Sequence, residues 1–474
     1  MSAPLLRVAE IALYERDVRL RMPFRFGVVT LTESPQAFAR VRIELADGRG
    51  GWGMAAELLA PKWFDKDLKL SNEDNYAQLR LALRIARDAY LGDTAQRSAF
   101  GHFAAHYRSR IEAGAQRGLN PLVANYGPAL IDRALLDALC RVCGISFYDA
   151  VRANLPGIAP ALLLPEFAGY DMDAFLGALE PAASIAARHT VGLVDALTAT
   201  DARVAVGDGL PETLEQVVAA YGQRYFKLKV GGKAAEDIER LAAIAAVLDR
   251  IPETYFASLD GNEQYESIEG VAELWSRMQA EPRLRRLAAS ILFIEQPINR
   301  KYALEQDVSG LSREKPVIID ESDADLDAFP RARALGYAGV SSKTCKGLYK
   351  SVINAARCAR WNAGQPGARY FMSGEDLTLQ AGVAVQQDLA LVNLLGIRHV
   401  ERNGHHYVNG MAGLSEAEQS AFLAAHPDLY ERSHGAVRLR IRGGQMDIAS
   451  LACKGYAAAA EPDWGGMREM VLPD

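Results

Sequence analysis

The chain predicts an α/β protein whose larger part is a TIM-type (β/α)8 barrel, preceded by an α+β domain. Three observations carry that expectation. Short apolar runs recur from about residue 202 to residue 401, each separated from the next by a segment of helical periodicity. Several of these runs end in charged residues, as strands do where a barrel gathers its chemistry. Ahead of them, the first 150 residues alternate like strands and then repeat like helices.

Taken in order, RVAEIALYERDVRL and AFARVRIELADGRGGWGMAAE alternate apolar and polar residues and predict an antiparallel strand pair. Between them PFRFGVVTLTESP carries Pro, Gly and Thr and reads as a mobile connection. From about Leu70 to Arg141, NYAQLRLALRIARDAYL and PALIDRALLDALCRVCG repeat apolar residues at helical steps. After Tyr148 a Pro/Ala/Gly-rich stretch reads as a long excursion. The runs RVAVG, YFKLKV, YFASLD, ILFIEQP, VIIDES, AGVSSK, ARYFMSGE and IRHVE then give eight βα-type repeats. From about His405 a last alternating run, AVRLRIRG, is expected to fold back on the N-terminal domain. The expected boundaries are 1–150, 151–200 for an extended linker, 201–404 for the barrel and 405–474 for the returning segment.

A chain of 474 residues exceeds the ~250–300 at which a single core stops growing, so it accommodates a barrel and an added domain. Hydrophobic residues at 49% and charged residues at 24% exclude disordered and fibrous classes. A net charge of −6 without any Lys/Arg-rich run excludes nucleic acid and anionic membrane as partners and favours a small molecule. Arg7, Glu10, Glu15 and Arg16 break the early apolar runs, so neither a signal peptide nor a membrane span is expected. Five scattered cysteines suit a reducing, cytoplasmic setting.

The run FKLKV places Lys227 and Lys229 on one face of an apolar strand. In a barrel Phe226, Leu228 and Val230 face the helices, and the two lysines point inward near the functional mouth. The next runs end with Asp260 and Asn262, with Glu295, with Asp320 and Glu321, and with Lys343. A charge after one strand ordinarily begins a solvated loop. Five successive strand ends in register need partners, because an uncompensated buried charge costs several kcal/mol.

Asp260, Glu295 and Asp320 would offer an oxygen-only donor set from adjacent strands, suited to Mg2+ or Mn2+ and not to zinc or copper. A lysine of pKa ~10.4 is neutral only about once in 2,500 at pH 7, a deficit of roughly 4–5 kcal/mol for a base. A neighbouring divalent cation and a second ammonium both lower that pKa, so Lys227 beside Lys229 is a device for making a base. A metal between opposed lysines suits removal of a proton α to a carboxylate, through an enediolate that the cation stabilises.

The series KLKVG, LDGN, IEQP, IIDES and SSKTCKG resembles the barrel of the enolase superfamily, in its mandelate racemase and muconate lactonizing enzyme branch. It is most similar to the subgroup with KxK on the second strand and a single lysine on the sixth. DGRGGWGMAAE and ALIDRALLDALCRVCGISFYDA resemble the family's N-terminal capping domain and its junction with a modified, enolase-like barrel. The resemblance implies that Asp260, Glu295 and Asp320 ligate Mg2+ (or Mn2+), with Asn262 and Glu321 in support. It implies that Lys229 and Lys343 are acid/base groups on opposite faces of a small carboxylate substrate. Lys227 would tune Lys229 and contact the substrate carboxylate, and Lys346 ranks below Lys343. Ser373, Gly374, Glu375 and Glu401 would be substrate neighbours, and the regions 23–32 and 54–57, with Arg25 as an anion contact, would choose the substrate's distal part. The implied activity is racemisation, epimerisation or cycloisomerisation, or β-elimination as a lyase, in a homo-oligomer of dimeric or octameric form. From another class, the alternative is a metal-binding barrel with a scaffold role.

The seventh strand lacks the histidine of mandelate-type racemases, and the eighth reads HVERNGHH. Three further motifs read as structure. His102 and His106 in HFAAH stand one helical turn apart but lack the glutamate of HExxH, and read as a solvated or packed helix face. Cys140 and Cys143 read as core packing, and KVGG as a turn out of a strand. His405 and His406 either edge the site or lie in a return loop.

Overall fold

The computed structural model describes residues 3–26, 29–201 and 205–473. It has the closed parallel barrel and the N-terminal antiparallel sheet domain that the sequence predicts. The sheet of the capping domain runs β1 (Leu6–Phe26), β2 (Val29–Leu45) and β3 (Gly50–Leu58) as an antiparallel meander. The stretch expected as a mobile connection is instead the tip of the β1–β2 hairpin: Phe24 pairs with Leu31 and Arg25 with Thr30, beyond a register shift after Arg19. Residues 27 and 28 of that stretch lie outside the described residues.

Two of three helices pack on this sheet, and the middle one packs on them. Asn72–Gly92 starts at a reciprocal cap, in which Asp74 N donates to Ser71 Oγ (3.1 Å) and Ser71 N donates to the Asp74 carboxylate (2.7 Å). Ala99–Ala115 follows, and then Tyr126–Cys143, which is buried along nearly its whole length. The last packs directly on β3, where a Cβ added to Gly53 would stand 2.1 Å from Ala138 N. Only glycine allows that approach.

The barrel is β4 (Ser184–Val191), β5 (Tyr225–Lys229), β6 (Phe256–Asp260), β7 (Ile291–Glu295), β8 (Val317–Ile319), β9 (Gly339–Ser342), β10 (Phe371–Gly374) and β11 (His399–Arg402). All neighbours are parallel, and the ring closes through β11 on β4, with His399 opposite Ala186 and Arg402 opposite His189. Seven of the eight expected runs become strands. Of the first, RVAVG, Arg203 and Val204 lie outside the described residues, and residues 205–207 are not strand. Its place is taken by SIAARHTV, inside the segment expected as linker. Arg188 in mid-strand hides this strand from a reading of apolar runs. The structure buries that guanidinium among Glu375, Gly374 O (2.7 Å) and Ser373 Oγ (3.2 Å).

Helix Val383–Leu394 is buried at every residue, including the polar Gln386, Gln387, Asp388 and Asn393, because it lies between the barrel and the cap. Gln387 Nε2 donates to Met54 O across that junction (2.8 Å). The C-terminal residues serve both parts. After the hairpin β12 (Tyr430–Ser433) and β13 (Ala436–Leu439), β14 (Gln445–Asp447) pairs antiparallel with β4 of the barrel. Finally β15 (Arg468–Glu469) pairs with β1 of the cap.

Candidate active site

Side-chain alternation decides what each barrel strand sends inward. On β5, Phe226 and Leu228 join the core beneath the outer helices, while Lys227 and Lys229 enter the barrel, 1% and 6% exposed. Lys227 Nζ is held by Asp260 Oδ2 (2.8 Å), Glu295 Oε1 (2.9 Å), Glu375 Oε2 (2.6 Å) and Glu401 Oε2 (3.0 Å). Lys229 Nζ donates to Asp260 Oδ2 and Asn262 Oδ1, both at 2.5 Å. On the other side Lys343 donates to Asp320 and lies 4.5 Å from the centre of the Trp63 ring.

Lys227, Lys229, Asp260, Asn262, Glu295, Asp320, Glu321, Lys343, Ser373, Glu375 and Glu401 all lie buried at this mouth. Asp260 and Glu295 are register partners, and Asp320 follows the end of β8. Lys346 donates to Ser341 Oγ (2.8 Å) and is 3.1 Å from Asp323 Oδ2. Glu375 and Glu401, expected as substrate neighbours, are counter-ions of Lys227, and Ser373 Oγ donates to Glu375 Oε1 at 2.5 Å. The backbone stores strain here: Asn262 (φ 39°), Glu263 (φ 67°) and Gln296 (φ 32°) are left-handed without being glycine.

Electrostatics follow from this crowding. Burial pushes the Glu295 carboxyl well above the usual carboxylate range, and Asp260 and Glu375 push it further than Lys227 can offset. Burial also opposes ionisation of Asp320, but Lys343, Lys346 and Lys227 outweigh it and hold that carboxyl far down. Lys227 and Lys343 are raised: burial disfavours their charge, and the carboxylates around each reverse the balance. For Lys227 this differs from a charge that simply presses on Lys229, since the Asp260 carboxylate stands between the two ammoniums. Glu401 is held low against burial by Lys227, Lys229 and Lys343, so one interior contains all three lysines.

In its chemistry, though not in the present spacing of its oxygens, which do not all fall within 4.8 Å of one another, the donor set suits a hard divalent cation. Asp260, Glu295 and Asp320 offer oxygen alone. Glu295 Oε2 lies 2.9 Å from Lys227 Nζ without taking a hydrogen bond, and Glu321 Oε2 is buried with no hydrogen-bond partner. A cation would satisfy a carboxyl group that its surroundings otherwise push toward neutrality.

Several residues of the mouth carry no signal in the sequence reading. Gln296 Oε1 accepts from Asp320 N (2.8 Å) and Ser322 N (3.0 Å), fixing the end of β8. Trp63 and Lys66 come from an irregular stretch of the cap, and Lys66 Nζ bonds Asn262 O (2.7 Å) and Glu263 Oε2 (2.5 Å). The region 54–57 docks on the barrel: Glu57 pairs with Arg133 (2.9 Å) and accepts from Thr344 Oγ1 (2.9 Å). His405 and His406 are buried beside His189, with 3.1 Å between His189 Nδ1 and His405 Nε2. A cavity of about 1010 Å³ opens beside them, walled by Arg21, Asp195, Arg240, His406 and Tyr407. Arg21, anchored on Asp208 (2.6 Å), lines it, whereas Arg25 is exposed on the hairpin.

Comparison with known proteins agrees with this architecture. Residues 209–440 match the family described as enolase C-terminal domain-like. That match places this part of the barrel with the C-terminal domains of the enolase superfamily, through a model of the mandelate racemase/muconate lactonizing enzyme family. Among solved structures, muconate lactonizing enzyme from Mycobacterium smegmatis, complexed with muconolactone, is 16% identical, covers 97% of this chain and 98% of its own, and superposes with a TM-score of 0.61. The mandelate racemase/muconate lactonizing protein from Herpetosiphon aurantiacus is also 16% identical (95% and 98% covered, TM-score 0.58). The 2-chloromuconate cycloisomerase from Rhodococcus opacus 1CP is 17% identical (96% and 97%, TM-score 0.56). No curated protein matches the chain in sequence.

Proposed function

We propose that the protein removes the α-proton of a small carboxylate substrate at the barrel mouth, with Lys229 and Lys343 as the two proton-handling groups and Asp260, Glu295 and Asp320 as holders of Mg2+ or Mn2+. The observation that carries this reading is angular. Strands β5 and β9 are four apart in a closed ring of eight, so Lys229 and Lys343 approach from opposite sides, with the three carboxylate-bearing strands between them.

A divalent cation bound there supplies positive charge for the substrate carboxylate as the α-carbon loses its proton. The chain's own residues do the rest. Lys229 Nζ, oriented by Asp260 and Asn262, takes or returns a proton on one face, and Lys343 Nζ, oriented by Asp320 and Trp63, does so on the other. Lys227 stays an ammonium and gathers Asp260, Glu295, Glu375 and Glu401. The cap residues Trp63 and Lys66 close the mouth against water. Two opposed lysines suit racemisation or epimerisation; cycloisomerisation or β-elimination uses one as base and the other as electrostatic support. A cytoplasmic setting and a dimeric or octameric assembly belong to the same reading. No described helix is long and apolar enough to cross a membrane.

The test is incubation with Mg2+ in D2O against a panel of carboxylic acids, following deuterium at the α-carbon by NMR. Exchange that depends on metal and on both lysines supports the reading. Exchange that survives complete chelation would sink it, and silence across a broad panel would favour a scaffold that binds metal without catalysis.

A further inference from the structure

We propose that Asp93, His102 and His106 form a second metal site, built for zinc, in the capping domain and apart from the barrel. In sequence the HFAAH spacing alone reads as a packed helix face. The fold adds a third donor, because Asp93 caps the C-terminus of helix Asn72–Gly92 and faces the histidines of helix Ala99–Ala115. His106 Nε2 lies 2.8 Å from Asp93 Oδ2, and His102 Nδ1 lies 3.9 Å from the same oxygen. All three donor atoms fall within 4.8 Å of one another, the one such group of His, Cys, Asp and Glu among the described residues. Donors bonded to a tetrahedral zinc at about 2.0–2.2 Å stand roughly 3.4 Å apart. The two distances bracket that spacing.

A second observation points to a ligand. His102 is wholly buried, yet its Nδ1 has no hydrogen-bond partner. Its Nε2 meets Leu6 O at 3.0 Å, and a carbonyl only accepts, so Nε2 carries the proton and Nδ1 carries the lone pair. An imidazole that gives its second N–H to a backbone carbonyl is oriented as metal-bound histidines are. Leaving a buried acceptor without a partner has a cost that a bound ion removes.

The rest of the surroundings agree. Asp93 Oδ1 accepts from Ala95 N (3.0 Å), which aims Oδ2 at the pair. Arg97 Nε also reaches Oδ2 (2.7 Å), but its side chain is 39% exposed and can swing out. Asp93 and His106 reach the surface, giving an ion its way in and a water its place as fourth ligand. Two imidazoles and one carboxylate are borderline donors that prefer zinc to magnesium, the opposite of the oxygen-only barrel mouth. Bound there, zinc would tie the connection 93–98 to both helices and, through Leu6, to β1.

The test is equilibrium dialysis of the full chain against Zn2+ with Mg2+ in excess to occupy the barrel, with metal counted by mass spectrometry. In parallel, Co2+ binding is followed in the visible spectrum, where tetrahedral nitrogen-containing sites absorb intensely and oxygen-only octahedral sites weakly. The expected result is one zinc per chain, intense cobalt bands and a zinc-dependent rise in melting temperature. His106→Ala, His106→Gln at the same partly exposed position, and Asp93→Asn should abolish all three, with affinity falling by more than the about 10–100-fold typical of a lost outer partner. Asp260→Asn in the barrel should keep them. The proposal is overturned if the wild type binds no more zinc than the His106 variants, if their intense bands persist, or if Asp260→Asn removes the ion.

Discussion

The barrel mouth and the seam where the C-terminal segment meets the cap both bury charge and polar hydrogen-bonding groups, and they compensate them in opposite ways. At the seam the buried charges are paired locally, few to a partner. Asp137 accepts from Met54 N (2.9 Å), Tyr456 N (2.6 Å) and Arg141 Nε (2.7 Å), and Arg16 meets Glu418 at 2.9 Å. His426 donates or accepts on both ring nitrogens, toward Ser450 Oγ (3.0 Å) and from Ala459 N (3.2 Å). At the mouth one ammonium, Lys227, serves four carboxylates, and Glu295 remains pushed toward its neutral form. The seam is arranged for stability. The mouth leaves charge incompletely matched, and perturbed carboxyls and strained backbone coincide there, as they do at functional sites.

The largest test of that contrast is catalytic. Lys229→Ala and Lys343→Ala should each slow α-deuterium exchange by about 10²–10⁴-fold. Each variant also strips a partner from a buried carboxylate, so exchange rates are compared on protein whose urea curve shows it folded. Exchange within a few-fold of wild type in both variants would break the distinction.

Next is Lys227→Met, which leaves Asp260, Glu295, Glu375 and Glu401 facing one another. Loss of one member of a buried ionic cluster costs about 3–5 kcal/mol, read as a fall in the urea midpoint at pH 7. A midpoint unchanged from wild type would mean that the mouth is compensated as locally as the seam.

The seam itself is tested by pH. Burial lowers His426 from 6.5 to about 4, so the folded state resists the proton that the unfolded chain accepts. Its contribution is complete above pH ~6.5 and is lost as pH falls toward 4, about 3 kcal/mol in all at 1.36 kcal/mol per unit. Melting temperatures between pH 7 and 4 should fall more steeply for the wild type than for His426→Gln; parallel curves would remove His426 from the account.

The smallest effect sharpens the comparison from the other side. Mg2+ at a hundredfold over its dissociation constant should stabilise the protein by about 2.7 kcal/mol through the mouth. Asp320→Asn should cancel that gain, while Asp137→Asn at the seam should leave it intact.

Much of the mouth is legible in the sequence because period-two alternation leaves a mark: FKLKV shows which two side chains turn inward, and LDGN, IEQP and IIDES end in charge. What stays hidden depends on partners distant in the chain. Arg188 makes β4 look unlike a strand until Glu375, 187 residues away, is seen to meet it. The Pro and Gly of PFRFG read as a loop, yet cross-strand pairing carries the hairpin to Phe26. Trp63 and Lys66 sit in a stretch without periodicity, where no pattern could mark them. The HFAAH pair is legible, but its third donor arrives only when two helices are folded side by side.

The pairing of β14 with the barrel and β15 with the cap also bears on grafting. Each part borrows an edge strand from the last thirty or so residues, so neither is a self-contained module. A chimera that places this cap on a foreign barrel, cut only at the 150–184 connection, would leave the edge of β1 open while the orphaned tail searched for a sheet. Recombination between relatives must therefore carry both ends of the chain together.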